Sequence, residues 1–251
     1  MAGHSQFKNI MYRKGAQDAK RAKVFAKLAR EITVAVKSGM LDPKQNPRLR
    51  NAIINARNEN MPNDRINKAI QKGSSNEDNT NYQEIRYEGY GANGIAFLIE
   101  TLTDNKNRTA SEIRSILGKN GGNLGEDGSV AFNFKRVGEI CFELNKVNKE
   151  DLLNYSIEVG AIDIIEDKEI INVYCKPDNF GEIKNTLENK FCEPVKAKLV
   201  WQIENSISVD KEIGLKILNT IEALEENDDV QTVYTNISFS EKIIEKLYEE
   251  I

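Results

Sequence analysis

A single histidine, three scattered cysteines and the lack of any long apolar run narrow the chemistry open to this 251-residue chain. The one histidine is His4, near the start of the chain. A Ser-His-Asp or Cys-His pair on a rigid scaffold is therefore excluded, as is any His-rich metal site. Cys141, Cys175 and Cys192 show no CxxC spacing. They read as buried thiols of a reducing compartment rather than as a disulfide frame or a zinc site. The longest apolar runs, such as IAFLI at 95–99, are of strand length and too short to span a bilayer. Gly118 and Lys119 are not followed by Ser or Thr, so no Walker A loop is present. A secretory signal would need an apolar core that is missing, and a transit peptide is disfavoured because the basic start runs straight into a helical pattern. A cytoplasmic, non-enzymatic protein without metal or cofactor is the expectation.

Acidic residues are also missing, but only locally: none precedes Asp18. Residues 1–72 hold 16 Lys and Arg against 5 Asp and Glu, a balance of +11. The whole chain carries −4, so the remainder stands at −15. Such asymmetry points to a polyanion-facing module joined to acidic domains. His4, Lys8, Arg13 and Lys14 form an arm, with Phe7 and Tyr12 interleaved as stacking rings. Lys20, Arg21, Lys23, Lys27 and Arg30 continue it along a helix whose apolar face carries Phe25, Leu28 and Ile32. With few acids on that face, Glu–Lys pairing does not account for the charge.

The period of the pattern divides the chain. Helices are expected from Gln17 to Lys37, from Asn46-Pro47 to about Asn58, and after Pro62 to near Gly73. The polar stretch GSSNEDNTN at 73–81 follows as a linker. Strands are expected at 84–90, 94–102 and 130–134 (VAFNF), with a helix from Thr109 to Lys119 and a glycine-rich turn at 119–129. A β-α-β-β-α-β series over 135–205 matches a ferredoxin-like unit. The last helix and strand, 210–226 and 230–239, complete the preceding domain instead. The chain thus reads as an α+β protein of three domains: a basic helical domain (1–78), a discontinuous α/β domain (79–134 plus 206–251) and a ferredoxin-like domain inserted in it (135–205).

Two motifs invite sharper chemistry. GYGANG at 89–94 fits G-x-G-x-x-G, but a strand rather than a helix follows, so it reads as a turn between strands. Glu225, Glu226, Asp228 and Asp229 cluster at a helix C-terminus, where they oppose the helix dipole. They read as a solvated acidic turn rather than as a metal site, with no role assigned.

The stretches MAGHSQFKNIMYRKGAQDAKRAK, NPRLRNAI, NMPNDRINKAI, YEGYGANGIAFLIETLTDNKNRTASEIR, KNGGNLGEDGSVAF and DDVQTVY resemble the YebC/PmpR family across nearly the whole chain. The chain departs from that family at Phe7, where Trp is usual, and at Met11-Tyr12, where a Lys-His pair is usual. The resemblance implies a helical N-terminal domain with two α/β domains, and a cytoplasmic DNA-binding regulator of transcription. It also implies an alternative, a ribosome-associated translational activator that binds ribosomal RNA through the same basic arm. Within its motifs, Lys106, Arg108, Asn120, Gly121, Gly122 and Asn123 offer a second anion-facing rim of cations and glycine amides.

Overall fold

The computed structural model describes residues 17–75, 80–167 and 169–239, with side chains from residue 21 onward. Three helices come first: α1 (Gln17–Lys37), α2 (Pro47–Asn58) and α3 (Asn63–Ser74). The Asn46 carboxamide caps α2 by accepting from Leu49 N–H at 3.0 Å, ahead of Pro47 at the first helical position. Mixed α/β structure follows, as the change of period from 3.6 to 2 requires.

The chain divides into two compact units. The first takes in, of the described residues, 17–34, 75, 80–135 and 203–239. Its main sheet contains β1 (Gln83–Tyr90), β2 (Ala96–Thr103), β3 (Asn123–Leu124) and β9 (Val230–Thr235) in the order β3-β1-β2-β9. Helices α4 (Lys106–Lys119) and α7 (Lys211–Glu225) bring Ile113, Leu117, Ile217, Ile221 and Leu224 against Phe97 and Ile99 of the sheet. Phe97 and Ile99 are fully buried, and truncating a core Phe of this kind to Ala costs about 3–5 kcal/mol. The late helix and strand thus join the sheet begun by β1 and β2. A short parallel pair, β8 (Ile207–Ser208) with β10 (Ile237–Ser238), completes the unit.

The second unit holds Ala35–Ser74 and Arg136–Gln202. Its sheet contains most of β4 (Phe134–Glu143) and of β7 (Lys196–Ile203), with β5 (Asp163–Asp167) and β6 (Ile170–Cys175), in the order β5-β6-β4-β7. Helices α5 (Lys149–Glu158) and α6 (Phe180–Lys190) place Leu152, Ile183 and Leu187 on Ile140, Phe142, Ile171 and Val173. This is the split β-α-β arrangement of a ferredoxin-like domain. Cys141 and Cys175 are buried in it, and burial pushes their thiols up to about 12 and about 11, which leaves them unreactive.

One local expectation holds and another changes. GYGANG closes the β1–β2 hairpin through a short 3-10 turn at Ala92–Gly94, with Asn93 and Gly94 at positive φ. It is followed by β2 and opens no helix. VAFNF at 130–134 is not a strand. Ala131–Asn133 forms a 3-10 turn, and β4 begins only at Phe134. The cause lies 42 residues away: the buried carboxylate of Glu88 accepts from Val130 N–H at 2.8 Å and Ala131 N–H at 2.9 Å. Two N–H groups that a strand would offer a neighbour are thereby taken by a side chain.

Candidate nucleic-acid interface

Helix α7 ends at Glu225 with Glu226 at its C-cap. Its last carbonyls lack intrahelical partners and form the negative pole of the dipole. The cations of α1 answer both. Lys27 Nζ donates to the Glu225 carbonyl at 2.7 Å and Lys23 Nζ to that of Glu226 at 3.3 Å. Arg30 Nη1 donates to the Leu102 and Asp228 carbonyls at 3.0 and 2.9 Å. Positions 23, 27 and 30 share one helix face, so a single side of α1 meets the end of α7. Burial lowers the Lys27 pKa, and the nearby charges of Glu225 and Asp228 offset this only in part.

Asp229 sits next in the chain and is not solvated: it is 3% exposed. Its Oδ1 accepts from Arg30 Nη1 at 2.8 Å. Its Oδ2 accepts from Arg108 Nη2 at 2.7 Å and lies 2.7 Å from the Thr109 hydroxyl and 3.0 Å from that of Thr103. Backbone geometry delivers these groups. The β2–β9 register shifts between Glu100 and Thr101, and Leu102 N–H then donates to the Asp229 carbonyl at 2.8 Å, which aligns Thr103 with the acid. Asn105 caps α4 by accepting from Arg108 N–H at 3.1 Å, which sets Arg108 and Thr109 in the helix's first turn. Burial on its own would raise the Asp229 pKa. Hydrogen bonds from Arg108, Thr109, Arg30 and Thr103 outweigh it, and the carboxyl is held below its ordinary value. The bonds that Arg108 makes to Asp229 and Asp104 raise its own pKa in turn.

The turn is therefore a docking point for α1, with the Asp229 carboxylate buried in the contact while Glu226 and Asp228 remain exposed. Among the described residues, no group of three or more His, Cys, Asp or Glu is arranged to hold a metal ion. Lys23, Lys27 and Arg30 face α7 instead of forming an open basic face, a pairing across about 200 positions that no local pattern announces. Arg21 is exposed, its guanidinium 5.4 Å from the centre of the Phe25 ring. His4, Lys8, Arg13 and Lys14 lie outside the described residues, as do Phe7, Tyr12 and the side chain of Lys20.

The second rim is not one surface. Lys106 and Arg108 stand in the first turn of α4, whereas Asn120–Asn123 follow its last. Fourteen helical residues separate these ends by about 20 Å. Arg108 is further committed to Asp104 at 2.8 Å and to Asp229. Asn120 caps α4, its Nδ2 donating to the Ile116 carbonyl at 2.8 Å. Gly121 takes φ +78, and a Cβ on Gly122 would stand 2.2 Å from the Tyr90 carbonyl oxygen. These residues are placed by turn geometry before any ligand is considered. Thr103, Thr109 and Glu88 were given no role by the sequence. The one available signal was the acid cluster at a helix C-terminus, which demands cations from elsewhere.

Residues 5–76 match the family model described as the TACO1/YebC protein N-terminal domain, and residues 82–237 the one described as the TACO1/YebC second and third domain, named Transcrip_reg. Among solved structures, the chain is similar to a conserved hypothetical protein from Aquifex aeolicus. The two share 41% identity over 89% of this chain and 93% of that one, with a TM-score of 0.78. No helix among the described residues is long and apolar enough to cross a membrane.

Proposed function

Since the chain belongs to the TACO1/YebC family, we propose that it regulates gene expression by binding nucleic acid, as a DNA-binding regulator of transcription in the cytoplasm, without catalysing a reaction. One observation carries this: a balance of +11 over residues 1–72 in a chain of net −4. With Lys23, Lys27 and Arg30 holding α1, the phosphate-facing charge falls to Lys8, Arg13, Lys14, Lys20 and Arg21, with His4 as a further donor. Contacts of this kind supply affinity and register but little sequence information. No cofactor enters. Titrating the protein with a labelled duplex at several salt concentrations tests the proposal. Binding that tightens as salt falls supports it, and no binding at any salt refutes it.

A second reading, ribosomal RNA as the partner of a translation factor, is favoured by the orientation of α1. Its cations at 23, 27 and 30 face α7, so this face is not offered to a major groove as a recognition helix would be. Phosphate contacts suit a folded RNA as well as a duplex. Crosslinking in cells and sequencing the attached nucleic acid separates the two: promoter DNA supports the first, ribosomal RNA the second.

A further inference from the structure

Phe132 is 65% exposed, in a segment whose neighbours Val130, Asn133 and Phe134 are all buried. Hydrophobic residues exposed singly are common. This one differs in how firmly its backbone is held. The Glu88 carboxylate binds the N–H groups of Val130 and Ala131. Asn133 Nδ2 donates to the Val130 carbonyl at 3.3 Å, and Glu204 N–H donates to that of Asn133 at 2.8 Å. Tyr90 Oη donates to the Ser129 carbonyl at 2.6 Å. Arg86 Nε stands 3.2 Å from the other Glu88 oxygen, an ionic contact rather than an aligned hydrogen bond, and Arg86 Nη2 reaches Asp127 at 3.1 Å.

A buried carboxylate thus converts what would be a strand into a turn with an aromatic ring at its tip. A ring presented on a fixed turn loses little freedom when a planar ligand covers it, which is the requirement for a binding platform. Exposed Lys119 ends the helix before this loop, and exposed Lys135 follows Phe132 by three residues. An aromatic face with an exposed cation close behind it in the chain is a composition that suits an unpaired nucleotide, the base on the ring and a phosphate on Lys135. Asp127, an exposed acid of the same loop, is paired with Arg86 at 3.1 Å. A paired base is already stacked on both faces and offers no such surface.

We propose that Phe132 stacks on an unpaired base of a bound single-stranded or looped nucleic acid, a contact separate from the basic arm. The proposal rests on nucleic acid being the partner of this protein. Single-stranded DNA and RNA present the same π-face, so both are used as probes.

The test compares full-length wild type, Phe132→Ala and Phe132→Trp. Each is titrated with a single-stranded RNA 15-mer, the DNA 15-mer of the same sequence, and the corresponding DNA duplex. Phe132→Ala is expected to lose about tenfold in affinity for the single strands and to keep its affinity for the duplex. The slope of log K against log salt stays unchanged, because no charge is removed. Phe132→Trp retains or improves single-strand binding. The preferred strand, RNA or DNA, identifies the source of the base. An exposed ring contributes little to folding, so the thermal midpoints of the variants match wild type. Equal loss on duplex and single strand overturns the proposal, as does unchanged single-strand binding by Phe132→Ala. A protein that co-purifies with wild type but not with Phe132→Ala, while oligonucleotide binding is unaltered, overturns it in favour of protein docking. If wild type binds none of the probes, the functional proposal itself has failed. The oligonucleotide arms therefore keep the two failures apart.

Discussion

Arg30 Nη1 and Asp229 Oδ1 meet at 2.8 Å although 199 positions separate them in the chain. Arg30 belongs to the basic helix and Asp229 to the turn after α7, so this pair ties the charged segment to the core of its unit. The Arg30 guanidinium also lies 5.3 Å over the Tyr82 ring, which adds a cation–π contact.

Breaking that pair from the acid side has the larger consequence. Asp229→Ala leaves two guanidiniums and two threonine hydroxyls facing an empty position, and we expect a loss of about 2–3 kcal/mol in urea unfolding. Arg108→Ala should cost under about 1 kcal/mol, because its side chain is 44% exposed and solvent replaces the bond. If the two variants prove equally destabilised, the acid is not the hub.

The acid side of the stability curve carries the same signature. The Asp229 carboxyl is held below its ordinary value in the fold. Its stabilising contribution is therefore present above the unfolded-state value of about 4. It is lost as the pH falls through the lower, folded-state value. Asp229→Asn should flatten the fall in stability below about pH 4. An unaltered acid limb in that variant counts against the bonded, ionised acid.

Asp229→Asn also gives an opposite-sign test of what the contact is for. Removing a negative charge by itself strengthens binding to a polyanion. If Asp229 fixes the course of α1, nucleic-acid binding weakens instead. Stronger binding by the variant would reduce Asp229 to a purely structural role.

The glycine loop separates two kinds of constraint. Gly122→Ala drives a methyl group to 2.2 Å from the Tyr90 carbonyl oxygen, whereas Gly121→Ala meets open space at φ +78. The expected cost is about 1 kcal/mol for Gly121→Ala and more for Gly122→Ala, since the backbone must move. Thermal unfolding of the two variants gives the order, and the reverse order contradicts the close approach.

Much of this architecture is legible from period and capping. Asn46-Pro47, the run Ala96–Thr103 and the β-α-β-β-α-β order of the ferredoxin-like domain follow from local chemistry. What escaped the sequence depends on partners far away in the chain. VAFNF alternates like a strand, and only Glu88 on β1 makes it a turn. Lys23, Lys27 and Arg30 look like part of a polyanion-facing stripe until the end of α7, some 200 residues on, supplies carbonyls to receive them. The acids at 225–229 looked unfavourable for the same reason, since the cations that neutralise them lie in α1. The composition shows where positive charge is concentrated, but it does not divide the cations between those that hold the helix and those left exposed.

Salt dependence tests that division most directly. Full-length wild type is compared with a variant in which Lys8, Arg13, Lys14, Lys20 and Arg21 are all changed to Gln, and with Lys27→Gln alone, on the same duplex. The slope of log K against log salt should become shallower by about 4.5 in the fivefold variant if all five contact phosphate. For Lys27→Gln it should stay unchanged, against a change of about 0.9 had its ammonium met a phosphate, because that ammonium already bonds the Glu225 carbonyl at 2.7 Å. An unchanged slope in the fivefold variant would contradict the account.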